Sequence, residues 1–407
     1  MISNRRVMKI NAWVQNNYLE LLSIILVAIN LVRIRPQYLD LSDFWRSYIL
    51  NYYVLSYQTA GGFVSRGLVG TILDIFVDTI NSKIFYGAFV VLYFIVYSFI
   101  ILLLLKKAKK STEPHLLSAL ILMLMFSPAI TNYACDFARP DIFLVMITLL
   151  CMHLIAKNQF LFFIPILCVM GICIHEGFVC FFMPIIGITF LIKVIQKKSL
   201  NNILWFFVTI FLTLITFSII FRYGKRNVTD VDALFNLIQS KIDIALNRNM
   251  IDFEFGSMKE TLWEVSYGEL STYTTLLELI FYFALFFPIY YIYVRILNTR
   301  KIKIQNCFIR ALYMIAPFSG LLMIIVGVDY GRWFSLSTTA CCIHLFYFVK
   351  MYSIDVVPAL KICNKQKAIF VFFIVALMYI TIGPMGDIHE HFEYLVSFNN
   401  LITYFWN

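Results

Sequence analysis

His175 and Glu176 stand side by side in "GICIHEGFVC" (residues 171–180), an imidazole and a carboxylate in the middle of a long apolar run. Both groups exchange protons near neutral pH once partial burial has adjusted them, so the pair is a candidate general base. Four further clusters carry related chemistry. "TAGGFVSRGLVG" (59–70) holds Arg66 behind Gly61 and Gly62, glycines that read as permitting close backbone approach. "YACDFARPD" (133–141) gathers Asp136, Arg139 and Asp141, with Pro140 suited to the first position of a helix. "GVDYGRW" (327–333) supplies Asp329 and Arg332, and "GPMGDIHEHFE" (383–393) adds Asp387, His389, Glu390 and His391. A guanidinium presents a planar fork that matches phosphate oxygens and stays charged where water is scarce. Arg66, Arg139 and Arg332 are therefore candidate pyrophosphate ligands, and Asp136, Asp141 and Asp329 are candidates for orienting them or for binding sugar hydroxyls.

Each cluster also has a plainer reading. The Arg–Asp combinations suit ion pairs that staple helix ends, and His175 with Glu176 suits a helix cap. His389, Glu390 and His391 are adjacent and converge poorly on one metal, so they read as a solvated tail. His153 and His344, alone within apolar runs, read as packing or hydrogen-bonding residues. Tyr57, Tyr133, Tyr267 and Trp333 lie where a sugar ring could stack.

The elements that must position these groups follow from composition. Of 407 residues, 61% are hydrophobic and 14% charged, with a mean hydropathy of +0.81, more apolar content than a soluble core absorbs. The chain reads as an all-α, polytopic membrane protein, one transmembrane domain over 1–407. A span takes about 17 to 25 apolar residues. Runs at roughly 18–36, 84–105, 115–130, 141–156, 160–174, 178–192, 203–221, 272–294, 309–327, 334–349 and 367–383 predict eleven spans. Two long segments, 37–83 and 222–271, fall between spans on one side, and Val231–Ala245 within the second has the spacing of an amphipathic helix. The first span reads as its own insertion signal, because residues 1–15 carry Arg5, Arg6 and Lys9 without a cleavable apolar core.

Charge orients this layout. The net charge is +10, but the basic residues crowd into short segments such as "KKAKK" (106–110) on one side while most acids fall on the other. Positive-inside topology with a cytoplasmic N-terminus explains that asymmetry, and nucleic acid is not expected as a partner. The nine cysteines mostly sit in apolar runs and lack metal-ligand spacing, so neither disulfides nor zinc are expected. All five clusters then face the extracytoplasmic side. Ionisable groups at membrane depth cost roughly 2.5 to 3.5 kcal/mol each on insertion scales, and a binding cavity or active site at the outer surface gives the five one explanation. Its charges match glycosyl transfer from a polyprenyl-linked donor, with Glu176 or His175 taking a proton from a sugar hydroxyl and the arginines neutralising pyrophosphate.

On "GGFVSRG", "ARPD", "HEG" and "DYGRW", the expected eleven-span layout and the two long outer segments, the chain resembles the Wzy-type O-antigen and capsule polymerases within the wider GT-C-like membrane glycosyltransferases. The Arg-x10-Gly signature of some members is absent, since Arg66, Arg222, Arg226 and Arg248 each lack a glycine eleven residues on. The resemblance implies polymerisation of polyprenyl-pyrophosphate-linked oligosaccharide repeats at the outer face of a bacterial inner membrane, with a chain-length regulator protein as partner. No metal or other cofactor is expected where arginines neutralise the pyrophosphate. Two rival readings are a GT-C enzyme using a polyprenyl-monophosphate sugar, for which Asp40 and Asp43 in "YLDLSDFW" are the acidic pair, and a transporter of lipid-linked sugars. A transporter places its polar groups near mid-membrane rather than gathering them on one side.

Overall fold

The computed structural model describes residues 17–29, 44–135, 138–224, 228, 230–249, 251, 255, 273–299, 307–325, 329–383 and 385. In chain order its helices include α1 (Asn17–Ile29), α2 (Phe44–Val54), α3 (Leu68–Leu73), α4 (Ser82–Ala108), α5 (Pro114–Met125), α6 (Pro128–Cys135), α7 (Asp141–Lys157) and α8 (Phe163–Ile174). They continue with α9 (Phe178–Phe181), α10 (Met183–Gln196), α11 (Leu200–Tyr223), α12 (Val231–Ser240), α13 (Tyr273–Leu297) and α14 (Cys307–Ile315), which runs into a tighter 3-10 segment at Ala316–Ile325. Last come α15 (Tyr330–Met351), α16 (Val356–Leu360) and α17 (Lys365–Ile382). Among the described residues six helical stretches are long and apolar enough to cross a membrane: α4, α11, Thr275–Leu297, Cys307–Ile324, α15 and α17. Such helices satisfy their own backbone groups, which lipid cannot do for them. Their ends are written locally: the side chains of Asn81, Ser199 and Asn364 accept from the backbone N–H of Ile84, Asn202 and Lys367 at the starts of α4, α11 and α17.

The remaining expected spans are shorter or broken. The run at 115–130 divides at Ser127 and Pro128 into α5 and α6, and that at 178–192 divides at Phe182 into α9 and α10. In both, a proline in the first turn of the second helix cannot donate to the first, which favours a break. The run at 334–349 is instead part of a longer helix. α15 starts at Tyr330, so Arg332 and Trp333 lie within its first turn and not in a connecting turn. The hydropathy reading stopped short at a charge that the fold neutralises.

α15 is the central helix. Protein covers 72% of its most apolar stretch, against 11 to 39% for the other five. It packs on α13, the 3-10 segment, α6 and α7. Because protein rather than lipid surrounds it, polar side chains are admitted where they find partners. The Ser335 hydroxyl donates to the Ala129 carbonyl, and His344 bonds through Nε2 to Thr189 (2.8 Å) and through Nδ1 to Tyr293 (3.2 Å). His344 is thus an interhelical hydrogen-bonding residue, as its isolation suggests, whereas His153 lies on the exposed face of α7.

The two ends of the bundle differ in chemistry. At one, Lys109 pairs with Glu20, Lys365 with Glu113, and Arg295 donates to the Leu360 carbonyl. At the other, the segments expected as long loops carry α2, α3 and α12. These build a second apolar cluster from Ile49, Leu50, Tyr53, Leu234, Ile238 and neighbouring residues. A parallel bridge between Ile80 and Ile242 and an ion pair of Lys241 with Asp74 (2.8 Å) tie the two segments together. The close approach expected at Gly61 occurs elsewhere. A Cβ on Gly61 would meet nothing within 4 Å, and its φ of +66° marks a turn; a Cβ on Gly70 would lie 2.2 Å from the Leu55 carbonyl oxygen, where α3 crosses the end of α2.

Candidate functional site

The site is assembled from chain breaks at this second end. Arg66 lies in the turn between α2 and α3, Arg139 just before α7, Asp141 at its first residue, His175 and Glu176 in the break between α8 and α9, and Asp329 and Arg332 at the start of α15. Segments separated by more than a hundred residues thereby meet. Arg66 forks onto Glu176, with Nε 3.1 and 3.0 Å from Oε1 and Oε2 and Nη2 2.5 Å from Oε1. Arg332 forks onto Asp141 through Nε (2.6 Å) and Nη2 (2.7 Å). Arg139 donates to Asp329 at 2.7 Å, and Arg332 approaches the same carboxylate at 3.6 Å. His175 lies 3.9 Å from Glu176 and close enough to Arg332 and Asp141 to feel their charges. Among the described residues, three guanidiniums and three carboxylates thus form one charge-balanced network.

Local structure holds it in place. Arg66 itself adopts a left-handed backbone, φ +60°, as does Ala138 at +68° directly before Arg139. For residues with a Cβ that conformation costs on the order of 1 kcal/mol or more and persists only where surroundings impose it. Around Arg66 they are the Glu176 fork, a hydrogen bond from its Nη1 to the Tyr52 hydroxyl (3.2 Å), and the Ser65 N–H bound to the Gly224 carbonyl (2.9 Å). The Tyr53 hydroxyl donates to the Ala138 carbonyl. Pro140 is the residue before α7 and not its first, one position earlier than expected. At "HEG" the third residue has to be small, because a Cβ on Gly177 would sit 2.5 Å from the Phe181 ring and 3.0 Å from His175 Nδ1.

Burial grades across the network. Asp141, His175, Arg139 and Arg332 are buried, while Glu176 and Asp329 keep 31% and 36% of their side-chain surface open. Burial would raise the Glu176 carboxyl, but the Arg66 charge, His175 and the Arg66 hydrogen bonds outweigh it and hold that group well below the carboxylate range. Burial, joined by the Arg66 charge, pushes His175 down to about 3. Its ring is neutral at pH 7, and since Nδ1 accepts the Gly177 N–H (3.0 Å) the proton sits on Nε2. His175 therefore presents no vacant nitrogen, which leaves Glu176 as the better proton acceptor of the two.

Other expected residues are placed differently. Asp136, Asp387, His389, Glu390, His391, Tyr267, Asp40 and Asp43 lie outside the described residues. Trp333 is buried edge-on to Tyr330 and offers no face to a sugar; Tyr133 turns its hydroxyl to Thr339 (3.1 Å), and Tyr57 packs on Phe63. Two residues that bear on the site went unnoticed in the sequence. Tyr52 binds Arg66 through its hydroxyl, lies beneath the guanidinium (5.7 Å to the ring centre) and stacks on His175 at 6.3 Å. Among so many aromatics nothing in its spacing marks it out. Glu278 is a buried carboxylate inside α13 that accepts from Tyr282 (2.6 Å), whose hydroxyl lies against Gly331 next to Arg332. A lone acid in an apolar run was its signal.

Compared with known proteins, the chain matches no protein family, no curated protein and no solved structure. Fold and site define the class on their own terms: an almost wholly helical membrane protein with a neutralised, partly open charge network at one end of its bundle. The buried Arg332–Asp141 pair yields a stability test. Removing one partner of such a pair costs about 3 to 5 kcal/mol, whereas an exposed pair is worth roughly 1 kcal/mol or less. Asp141→Asn should lower the thermal-unfolding midpoint of the detergent-extracted protein far more than Asp232→Asn, whose partner Arg248 lies at the surface. Equal small shifts would mean the pair does not hold α7 to α15.

Proposed function

We propose that this chain is a membrane glycosyltransferase that polymerises polyprenyl-pyrophosphate-linked oligosaccharide repeats at the outer face of a bacterial inner membrane, spanning it eleven times with its N-terminus inside. The observation that carries the reading is the convergence of Arg66, Arg139, Arg332, Glu176, Asp141 and Asp329 into one partly open network from four separate chain breaks. The opposite, basic end of the bundle, where Lys109 and Lys365 lie, is the cytoplasmic one under the positive-inside rule.

In the proposed reaction, the hydroxyl oxygen of the acceptor sugar bonds to the anomeric carbon of the growing glycan. The bond from that carbon to the polyprenyl pyrophosphate breaks, its electron pair leaves with the phosphate, and the hydroxyl proton passes to Glu176. Arrival of the pyrophosphate draws Arg66 away from Glu176. Burial, no longer outweighed, then raises the carboxyl and makes it a stronger base only when donor is bound. Once Glu176 is protonated, the Arg66 charge is unopposed just as the leaving group gains negative charge. Arg139 and Arg332 complete the anion site, Asp141 and Asp329 fix their forks, and Tyr52 and His175 position Arg66 and Glu176.

Topology is checked by fusing a reporter active only outside the cytoplasm: signal at Asn249 and none at Lys109 or Asn306 is expected, and the reverse pattern overturns the one-sided site. The chemistry is tested with Glu176→Gln, which keeps size and most hydrogen bonding but takes no proton. Turnover should fall by about 100 to 10,000-fold, leaving single repeat units where wild type makes long chains at equal membrane abundance. Long chains from Glu176→Gln would reduce the carboxylate to a helix cap.

A further inference from the structure

We propose that the outer half of α11 is the docking groove for the polyprenyl chain of the lipid-linked substrate, with Arg222 as the anchor for its phosphate; this rests on the glycosyltransferase reading above and locates a ligand site beyond the ion-pair network. The groove, about 460 Å3, is lined by Phe211, Leu214, Ile215, Ser218, Ile219, Arg222 and Tyr223. It is shallow and open along its length, lined by this one helix. The spacing of three and four puts all of them on one helix stripe, and it is not the stripe that packs on α8: Phe211, Leu214 and Ile219 are 63%, 56% and 45% exposed. From Phe211 to Arg222 the stripe rises about 16 Å, close to one leaflet of the hydrocarbon layer.

Three observations select a phosphate-bearing isoprenoid as occupant over bulk lipid. The first is charge. At this end of the bundle Arg66, Arg139, Arg332, Lys241 and Arg248 are each tied to a carboxylate, whereas Arg222 has no carboxylate partner among the described residues and lies only over the Tyr223 ring at 5.5 Å. Among the described residues its positive charge is thus left uncompensated, available to an anion at the head of an apolar stripe. The second is shape: apolar residues lead to the cation in a single line, as a long tail with one anionic head requires. The third is continuity. The Gly224 carbonyl, two residues past Arg222, accepts the Ser65 N–H, so the head of the groove adjoins the turn that presents Arg66. A lipid seated on α11 delivers its phosphate beside the base and its arginine.

The test uses the full chain in nanodiscs with a photoactivatable polyprenyl monophosphate, which requires binding but no turnover. Cross-links are expected on the peptide carrying residues 211–223, suppressed by unlabelled polyprenyl monophosphate and not by phosphatidylglycerol or inorganic pyrophosphate at the same concentration. Arg222→Gln should weaken labelling roughly tenfold or more, the loss of one charge-assisted contact, and Ser218→Trp, which fills the groove, should weaken it with the arginine intact. Labelling on other helices, equal competition by phosphatidylglycerol, or unchanged labelling in both variants overturns the proposal. Unchanged labelling in variants that polymerise normally defeats the groove alone, while labelling as expected in a protein that never extends a glycan defeats the polymerase reading and leaves the groove standing.

Discussion

A charge inside an apolar bundle has to be matched where it stands, and the Arg332–Asp141 ion pair is where this chain meets that constraint most directly. Both side chains are buried, at the first turns of two helices that would otherwise have no reason to begin side by side. The two hydrogen bonds of the fork fix the start of α15 against the start of α7 in position and in rotation. Since α15 is the helix around which α13, α6 and the 3-10 segment pack, that single alignment propagates through the bundle. The polar residues along α15 then fall opposite their partners, as His344 does opposite Thr189 and Tyr293.

The same constraint shapes the candidate site. A buried ion pair gains little net stability over apolar packing, so a chain that gathers arginine–carboxylate pairs in its candidate site, with Arg66 and Ala138 in a left-handed backbone, holds them at a cost. Under the proposed function, catalysis accounts for that cost. A neutral network can accept an anionic donor by exchanging carboxylate for phosphate at one arginine, and the displaced carboxylate is then the group positioned to take a proton. Bare arginines would bind pyrophosphate more tightly but would leave no coupled base, and holding substrate and transition state equally well does not speed the chemical step.

Which parts of this were legible in the sequence follows from what each signal measures. Hydropathy locates apolar runs, so the long helices α4, α11, α13 and α17 lie where they were expected. It averages over a window, so it shortened α15 at Arg332 and missed the breaks at Ser127 and Phe182, each of which turns on a single proline. Residue type singled out Arg66, Arg139, Arg332, Glu176 and Asp329, because an ion inside an apolar run is costly and has to be placed. Partnership is a property of three-dimensional distance, and nothing in the spacing tells that Arg66 finds Glu176 110 residues away or that Arg332 forks onto Asp141 while sharing Asp329 with Arg139. Tyr52 was hidden for the opposite reason: its type is abundant here, and only its position beneath Arg66 distinguishes it. Of the segments read as loops, the apolar spacing at Val231–Ala245 marked α12 (Val231–Ser240) in advance, whereas α2 and α3 carried no comparable signal.

The central claim is that Arg66 and Glu176 act as one unit in transferring the glycan. A double-mutant cycle on turnover, measured with Arg66→Gln, Glu176→Gln and the double variant in proteoliposomes supplied with lipid-linked oligosaccharide, addresses it directly. Groups that work as a unit are lost together. All three variants should therefore fall to about the same low rate. Losses that multiply in the double variant, or wild-type turnover in either single one, would contradict the account.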